Sequence, residues 1–330
     1  VVQVDSIDNA YAYEQHGFKK IHGKGNNMTN EIKLKSENPI LKKLKTLTVC
    51  DYLIIIFFLL FVFLTFFPIW YVVVGSFNLG KDYAAGGVYF FPRVWSLTNY
   101  KYVLSYHAIW KGFLVTIGRV VLATGGHIIV TFMVAHAMSR PYLRFKKFYT
   151  PFMLFTMFFG GGFIPYYLVL NLTGLMNTFW VYVIPCLFSV YDMLVFTSFL
   201  KSIPEEMREA AIIDGAGEFR IAFSLILPLC KPVIATVAMW QVVAHWNNYF
   251  DSMYYVTNPD LYSIQYVVKN LLSATTVEGN TTLSPEDMEN LTGQTISFAA
   301  IVISVLPVTV IYPILGKQFA KGFMLGSLKG

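Results

Sequence analysis

Charge is what this chain has least of: 13% of its 330 residues are Asp, Glu, Lys or Arg, where soluble domains carry roughly a quarter. With 55% hydrophobic and 17% aromatic residues, water is not its main solvent, which excludes a soluble enzyme and a disordered chain. Cysteine is equally sparse. Cys50, Cys186 and Cys230 are odd in number and widely spaced with no Cys-x-x-Cys pair, so neither a disulfide framework nor a zinc site follows. The sequence lacks a Gly-x-x-x-x-Gly-Lys-Ser/Thr stretch, and with it a phosphate-cradling loop. Its apolar stretches hold no carboxylates paired for acid and base work, which argues against a membrane-embedded glycosyl enzyme. There is no internal repeat, and no matched pair of Gly/Pro-broken segments of the kind ion-coupled carriers use.

What is present is long apolar runs. Tyr52 to Val74 passes 23 residues without a charge, enough at about 1.5 Å per residue to cross a hydrocarbon core of about 30 Å. Further apolar segments fall at 110–136, 148–170, 178–200, 232–256 and 295–316, so the sequence predicts an all-α membrane protein with six transmembrane helices. The formal net charge of +6 does not require nucleic acid, because its placement obeys the Lys/Arg excess of cytoplasmic loops. From Lys33 onward, sixteen Lys and Arg lie before the first span, in the second and fourth connections and in the tail, against four in the other loops. Both termini are therefore expected in the cytoplasm of a multi-pass plasma-membrane protein.

The connections differ in kind. Residues 257–294 are polar and acidic, with Asp260, Glu278, Glu286, Asp287 and Glu289, suited to an extracytoplasmic partner. Residues 75–109 hold Tyr89, Phe90, Phe91, Trp95, Tyr100, Tyr102 and Tyr106, rings that suit either the headgroup zone of a membrane or a sugar face. Residues 1–45 read as a polar cytoplasmic segment, 46–316 as the transmembrane domain with a loop at 201–232, and 317–330 as a cytoplasmic tail. The first 27 residues lack the apolar core of a secretory signal. Met28, preceded by Gly23-Lys24-Gly25-Asn26-Asn27, is a candidate start, which would leave 1–27 untranslated.

The loop 201–232 is the most informative stretch. Ser202 followed by Glu205 reads as a capping box, with Pro204 in the first turn. Gly215 and Gly217 then stop the helix. Phe219, Ala222, Phe223, Leu225 and Ile226 resume a helical pattern up to Leu227-Pro228, so a helical hairpin is predicted. Met207, Ala210, Ala211 and Asp214 share one face at i, i+3, i+4 and i+7. By spacing alone this patch of small residues serves a partner protein or packs back on the membrane domain equally well.

Glu209-Ala210-Ala211-x-x-x-Gly215, followed by Leu225-x-Leu227-Pro228, resembles the EAA motif of permease subunits in binding-protein-dependent ABC importers, with Leu225 where Ile is commoner. Trp246-Asn247 and the ending Lys321-Gly322-Phe323-Met324-Leu325-Gly326-Ser327-Leu328-Lys329-Gly330 resemble the maltose-type (MalG-like) sugar permeases of carbohydrate uptake family 1. Gly160-Gly161-Gly162-Phe163-Ile164-Pro165 and Asn171-Leu172-Thr173-Gly174-Leu175 are similar to the subgroup importing oligosaccharides or polysaccharide fragments. The similarity covers about residues 45–330. It implies a MetI-like, type I ABC importer permease whose coupling hairpin sits in a cleft of a cytoplasmic ABC ATPase dimer. The implied partners are that ATPase, a second homologous permease subunit, an extracytoplasmic solute-binding protein, a carbohydrate and membrane lipid, without nucleic acid. The chain would not be an enzyme and would bind no cofactor, ATP and Mg belonging to the ATPase. Met207, Glu209, Ala210, Ala211, Asp214, Gly215, Phe219, Leu227 and Pro228 are the implied coupling residues. The tail, through Gly326 and Lys329, would reach the ATPase along an extended path; a frayed end is the alternative.

Polar groups inside spans are costly and are functional candidates by default. Here they are Arg119 and His127 in the second span, Asp192 in the fourth, and His245, Asn247, Asn248 and Asp251 in the fifth. Trp246, Asn247, Asn248, Tyr249 and Asp251 offer planar hydrogen-bonding groups beside rings, as a sugar path would, although such groups also bond neighbouring helices. For Arg119 and Asp192 an interhelical ion pair or snorkelling is expected rather than substrate contact. Importing a non-sugar solute is the alternative within the ABC class, and an ion-coupled carrier the alternative outside it.

Overall fold

In a computed structural model of the protein, residues 48–273 and 288–327 are described, with side chains as far as residue 313. The segment 1–45, the Met28 start, Glu278, Glu286, Asp287 and Lys329 lie outside the described residues. The chain divides at Phe66 into two units. The described part of the first unit is the exposed, apolar beginning of α1 (Val49–Ser76).

In the second unit, α2 (Gly80–Ala84) and α3 (Thr98–Ser105) fold the connection that follows α1. The Asn78 side chain organises it, accepting from Arg93 N at 2.8 Å and Val94 N at 3.1 Å and donating to Asp82 at 2.9 Å. Trp70 Nε1 donates to Phe90 O at 2.9 Å, while the rings of Tyr89, Phe91 and Trp95 stay exposed.

The long α4 (His107–Ser139) is the spine. At 33 residues it spans about 50 Å at 1.5 Å per residue. Around it come α5 (Lys146–Phe158) and α6 (Phe163–Leu172), a 3₁₀ stretch Phe179–Cys186, then α7 (Val190–Leu200), α8 (Glu206–Ile213), α9 (Glu218–Leu229), α10 (Lys231–Asn247), α11 (Phe250–Tyr255), α12 (Ile264–Ser273) and α13 (Gly293–Ser327). Among the described residues three helices are long and apolar enough to cross a membrane, α1, α4 and α13 over Gly293–Pro313, and three helix pairs bent at a short break pass the same test of length and composition when each is taken together. Five of the six apolar segments fall on these three helices and on the pairs α5–α6 and Phe179–Cys186 with α7, while the segment 232–256 falls on α10 and α11 and leaves α9 in the 201–232 loop. The α5–α6 pair turns by 111° at Gly160-Gly161-Gly162, where Gly162 has φ +86°, a left-handed conformation open to glycine. The α9–α10 pair turns by 77° just after Pro228, which has no N–H to continue the helical ladder. Immediately before it, Ile221–Ile226 forms a π turn.

Two apolar clusters hold the spans to the spine. Phe132, Met193, Phe196, Ile221, Ile226 and Val237 join α4, α7, α9 and α10. Ile109, Trp246, Ile264, Val267 and Ala299 join α4, α10, α12 and α13. The second cluster is possible because Gly112 lets α12 in: a Cβ there would stand 3.1 Å from Ile264 Cα. Thr116 Oγ1 accepts the Ile264 N–H at 2.9 Å beside it. Small residues that allow backbones to touch are the usual means of packing helices in lipid. The segment 257–294, expected as a polar loop, thus contains a helix packed on the membrane domain. Its acidic residues are partly spent within the fold, Asp260 on Lys111 at 2.5 Å and Glu289 on Lys81 at 3.2 Å.

The tail differs from expectation. Residues 317–327 are not extended; they continue α13 as helix to Ser327. Gly322 and Gly326 each cost a helix about 1 kcal/mol relative to Ala, and that is too little to stop one already propagating from a long apolar span.

Candidate functional site

The predicted hairpin forms. Helix α8 ends at a turn in which Gly215 takes φ +78° with open space around it, and α9 returns. Its start is not the capping box that the sequence suggests. Ser202 Oγ donates to Phe199 O at 2.7 Å, and the residue at the α8 N-cap is Glu205, whose side chain makes no cap bond. That carboxylate is engaged elsewhere.

It belongs to an ion cluster that ties the hairpin to the end of α4. Glu205 pairs with Arg140 at 3.1 Å and with Arg208 at 2.9 Å. Arg208 also pairs with Glu218 at 2.5 Å, bonds the Tyr142 hydroxyl and lies 5.2 Å from that ring's centroid. Arg208 is buried, at 8% exposure. Burial alone would lower its basicity, but the bonds to Glu218 and Glu205 outweigh it and raise it. Conversely the Arg208 guanidinium holds the Glu218 carboxyl below the ordinary range. A bidentate, planar cation on a helix otherwise full of Ala and Ile was the available signal, and reading only the small-residue face missed it.

The cluster fixes which way the hairpin faces. Met207, Glu209, Ala210, Asp214, Gly215 and Phe219 are exposed, joined by Ile212 and by Ile213, which is 85% exposed. Ala211 and Leu227 point the other way, packed half-buried against the α4–α7–α10 cluster. Of the two readings the spacing left open, Ala211 follows the inward one: it is small so that the hairpin can lie close to the body. Pro228 is exposed at the bend into α10. Phe219 and Phe223 stack with parallel rings 6.5 Å apart, so an exposed ring continues into the core.

Inside the membrane domain the polar residues are paired across helices. Arg119 of α4 is fully buried and bonds Asp251 and, at 3.4 Å, Asn248 O. The Tyr182 ring centroid lies 5.0 Å from its guanidinium. Asp192 of α7 receives Gln241 Nε2 of α10 at 2.7 Å and His127 Nε2 of α4 at 2.7 Å. The other ring nitrogen, His127 Nδ1, lies 2.7 Å from Cys186 O. Both expected ion-pair residues are thus interhelical, with different partners. No group of His, Cys, Asp and Glu fit for a metal ion occurs among the described residues.

The residues expected to line a sugar path fall in different surroundings. Trp246 is buried, donating Nε1 to Ser304 O at 3.0 Å beside Phe113. It fastens α10 to α13 and lines no path, a correction explained by the need of a buried indole N–H for an acceptor. Asn248, one residue before the α11 N-cap, accepts Asp251 N through its Oδ1 at 3.2 Å. Asn247 and Tyr249 are exposed, and Asp251 is half-buried against Arg119.

Against known proteins, the chain is 32% identical over 269 residues to Protein LplC of Bacillus subtilis, covering 81% of this chain and 90% of that one. It is 30% identical over 287 residues to the polygalacturonan/rhamnogalacturonan transport system permease protein YtcP of the same organism, covering 85% and 98%. Among solved structures, a bacterial ABC transporter that imports the acidic polysaccharide alginate has the same fold. It matches with a TM-score of 0.75 at 23% identity, over 91% of this chain and 100% of that chain. No protein-family model matches.

Proposed function

Because this chain belongs to the permease subunits of sugar-importing ABC transporters, a family of multi-pass membrane proteins, we propose that it forms half of the path for an oligosaccharide or polysaccharide fragment. A solute-binding protein delivers that cargo from outside, and a second permease of the same kind completes the path. Both termini and the hairpin lie in the cytoplasm, as the Lys/Arg asymmetry favours. ATP and magnesium sit on a partner ATPase dimer, and this chain binds neither.

The observation that carries the coupling reading is the composition of the hairpin tip. Met207, Ile212, Ile213 and Phe219 are all exposed beside the small Ala210 and Gly215. A hairpin evolved only to pack on its own body would turn such side chains inward. The tip is held by the buried Arg208, so a displacement imposed on it by ATPase closure passes to Arg140 and Tyr142 and then to α4. That helix carries Arg119 and His127, whose partners lie on the fourth and fifth spans. Residues Glu209 and Asp214 flank the apolar tip and would meet basic groups of the ATPase cleft.

The test is co-purification. Gly215→Asp adds a side chain where φ is left-handed and a charge at the tip, and Ala210→Glu adds charge and bulk. Both variants should insert into the membrane normally and lose their ATPase. Recovery of either with a full complement of ATPase refutes the assignment, as does failure of crosslinkers at Ile213→Cys to reach a nucleotide-hydrolysing subunit.

A further inference from the structure

The hairpin end of the fold carries a second surface that coupling leaves unused. Between α4 and α5 an open groove of about 620 Å³ is lined by Leu143, Phe145, Lys146, Lys147 and Phe148, among others. Its cations differ from their neighbours. Arg140 and Arg208 are taken up by Glu205 and Glu218, whereas Lys146 and Lys147 in the groove lining, with Arg144 next to it in sequence and Lys201 near Lys146, have no carboxylate partner among the described residues. Arg144 rests over the Phe145 ring at 4.9 Å from its centroid. Lys146 donates to Arg140 O at 2.8 Å and is close enough to Lys201 for the two charges to repel. Gathered cations with no counter-charge repel one another, and a bound anion relieves that repulsion.

The groove walls narrow the choice of anion. Phe148 of the wall stacks on Phe152, one turn further along α5 and outside the lining, with centroids 6.0 Å apart and a 12° interplanar angle, and both rings are exposed. They run from the cationic rim along α5, which has no buried residue and is the first arm of an apolar helix pair long enough to cross a membrane. A free phosphate would satisfy the rim and leave the rings bare. An amphiphile with an anionic head satisfies both. We infer that this groove binds an anionic phospholipid, Arg144, Lys146 and Lys147 taking the phosphodiester while Phe148 and Phe152 pack along an acyl chain. Which leaflet supplies it rests on the proposed orientation, and the lipid chemistry does not.

The experiment uses the assembled transporter in nanodiscs of phosphatidylcholine with or without phosphatidylglycerol. Lipid retained on this chain is read by native mass spectrometry, and a diazirine-bearing phosphatidylglycerol is photo-crosslinked to the wild-type complex. Phosphatidylglycerol should be retained over phosphatidylcholine, and crosslinks should map to residues 141–152. Retention should fall about fivefold for each charge removed in Arg144→Gln, Lys146→Gln and Lys147→Gln. Equal retention of the two lipids, or crosslinks elsewhere only, overturns the site. So does full competition by inorganic phosphate, which would make it a free-anion site. Loss of ATPase co-purification in the triple variant with lipid retention unchanged overturns it in favour of an acidic protein surface. The crosslinking arm needs no variant to fold, and none of these readings depends on transport, so the permease assignment and the lipid site fail separately.

Discussion

Removing Arg208 tests whether the hairpin is a rigid lever or a flexible hook. In Arg208→Ala the side chain loses bonds to Glu205 at 2.9 Å and Glu218 at 2.5 Å, the bond to Tyr142 and the packing of its stem. A fully buried pair broken on one side costs about 3–5 kcal/mol, but Glu205 is 48% and Glu218 56% exposed, so water takes back both carboxylates. Discounting for that screening leaves each ion pair at about 1 kcal/mol or less. Adding the lost stem packing gives about 2 kcal/mol. The whole domain survives such a loss; the local docking of α8 on the α4 end does not. At about 1.4 kcal/mol per tenfold, amide exchange over residues 206–217 should quicken roughly 30-fold. In the reconstituted transporter, the ATPase should still co-purify and hydrolyse ATP, while sugar moved per ATP falls about tenfold or more. Arg208→Lys keeps the charge without the planar fork and should recover only part of the loss. Unchanged sugar-to-ATP stoichiometry in Arg208→Ala, with the exchange accelerated as stated, would falsify the lever.

Three further outcomes follow from the same geometry. Asp251→Asn leaves the buried Arg119 charge without its carboxylate and should destabilise the protein by about 3–5 kcal/mol. Arg119→Gln leaves a half-buried carboxylate that keeps Asn248 and should cost less, and thermal denaturation in detergent that reverses this order contradicts the pairing. Trp246→Phe removes the bond to Ser304 O and should cost about 1–2 kcal/mol with the KM for sugar unchanged; a raised KM would restore Trp246 to the path. Glu218 has its folded pKa depressed by Arg208, so its stabilising contribution is present above the unfolded value of about 4.3. That contribution is lost as pH falls through the lower folded value. The hairpin exchange rates of wild type and Glu218→Gln should therefore differ at neutral pH and converge in acid, and a gap that widens in acid contradicts the ion pair.

The reach of the sequence differs element by element. The long apolar helices were legible because an apolar run long enough to cross lipid has few other uses, and the hairpin because glycines at 215 and 217 interrupt a patterned stretch. The Ser202–Glu205 capping box was a false reading, since local spacing says nothing of Arg140 and Arg208 competing for Glu205 from outside the helix. Ala211 and Ala210 look alike in sequence, and only the docked hairpin distinguishes the one that packs inward from the one that faces out. Trp246 beside three polar residues reads as a sugar platform until Ser304, 58 positions away, supplies the acceptor for its indole.

Composition and periodicity by themselves determined that the chain is a multi-pass membrane protein and where its helical hairpin lies, because burial against lipid and helix propensity act over neighbouring residues. Tertiary structure alone decided the partners of charge: Arg119 with Asp251, Asp192 with His127 and Gln241, and Arg208 with two glutamates. Such pairs join residues up to 132 positions apart, and a charge in low dielectric binds whichever counter-charge packing brings near it, a distance the linear order does not contain.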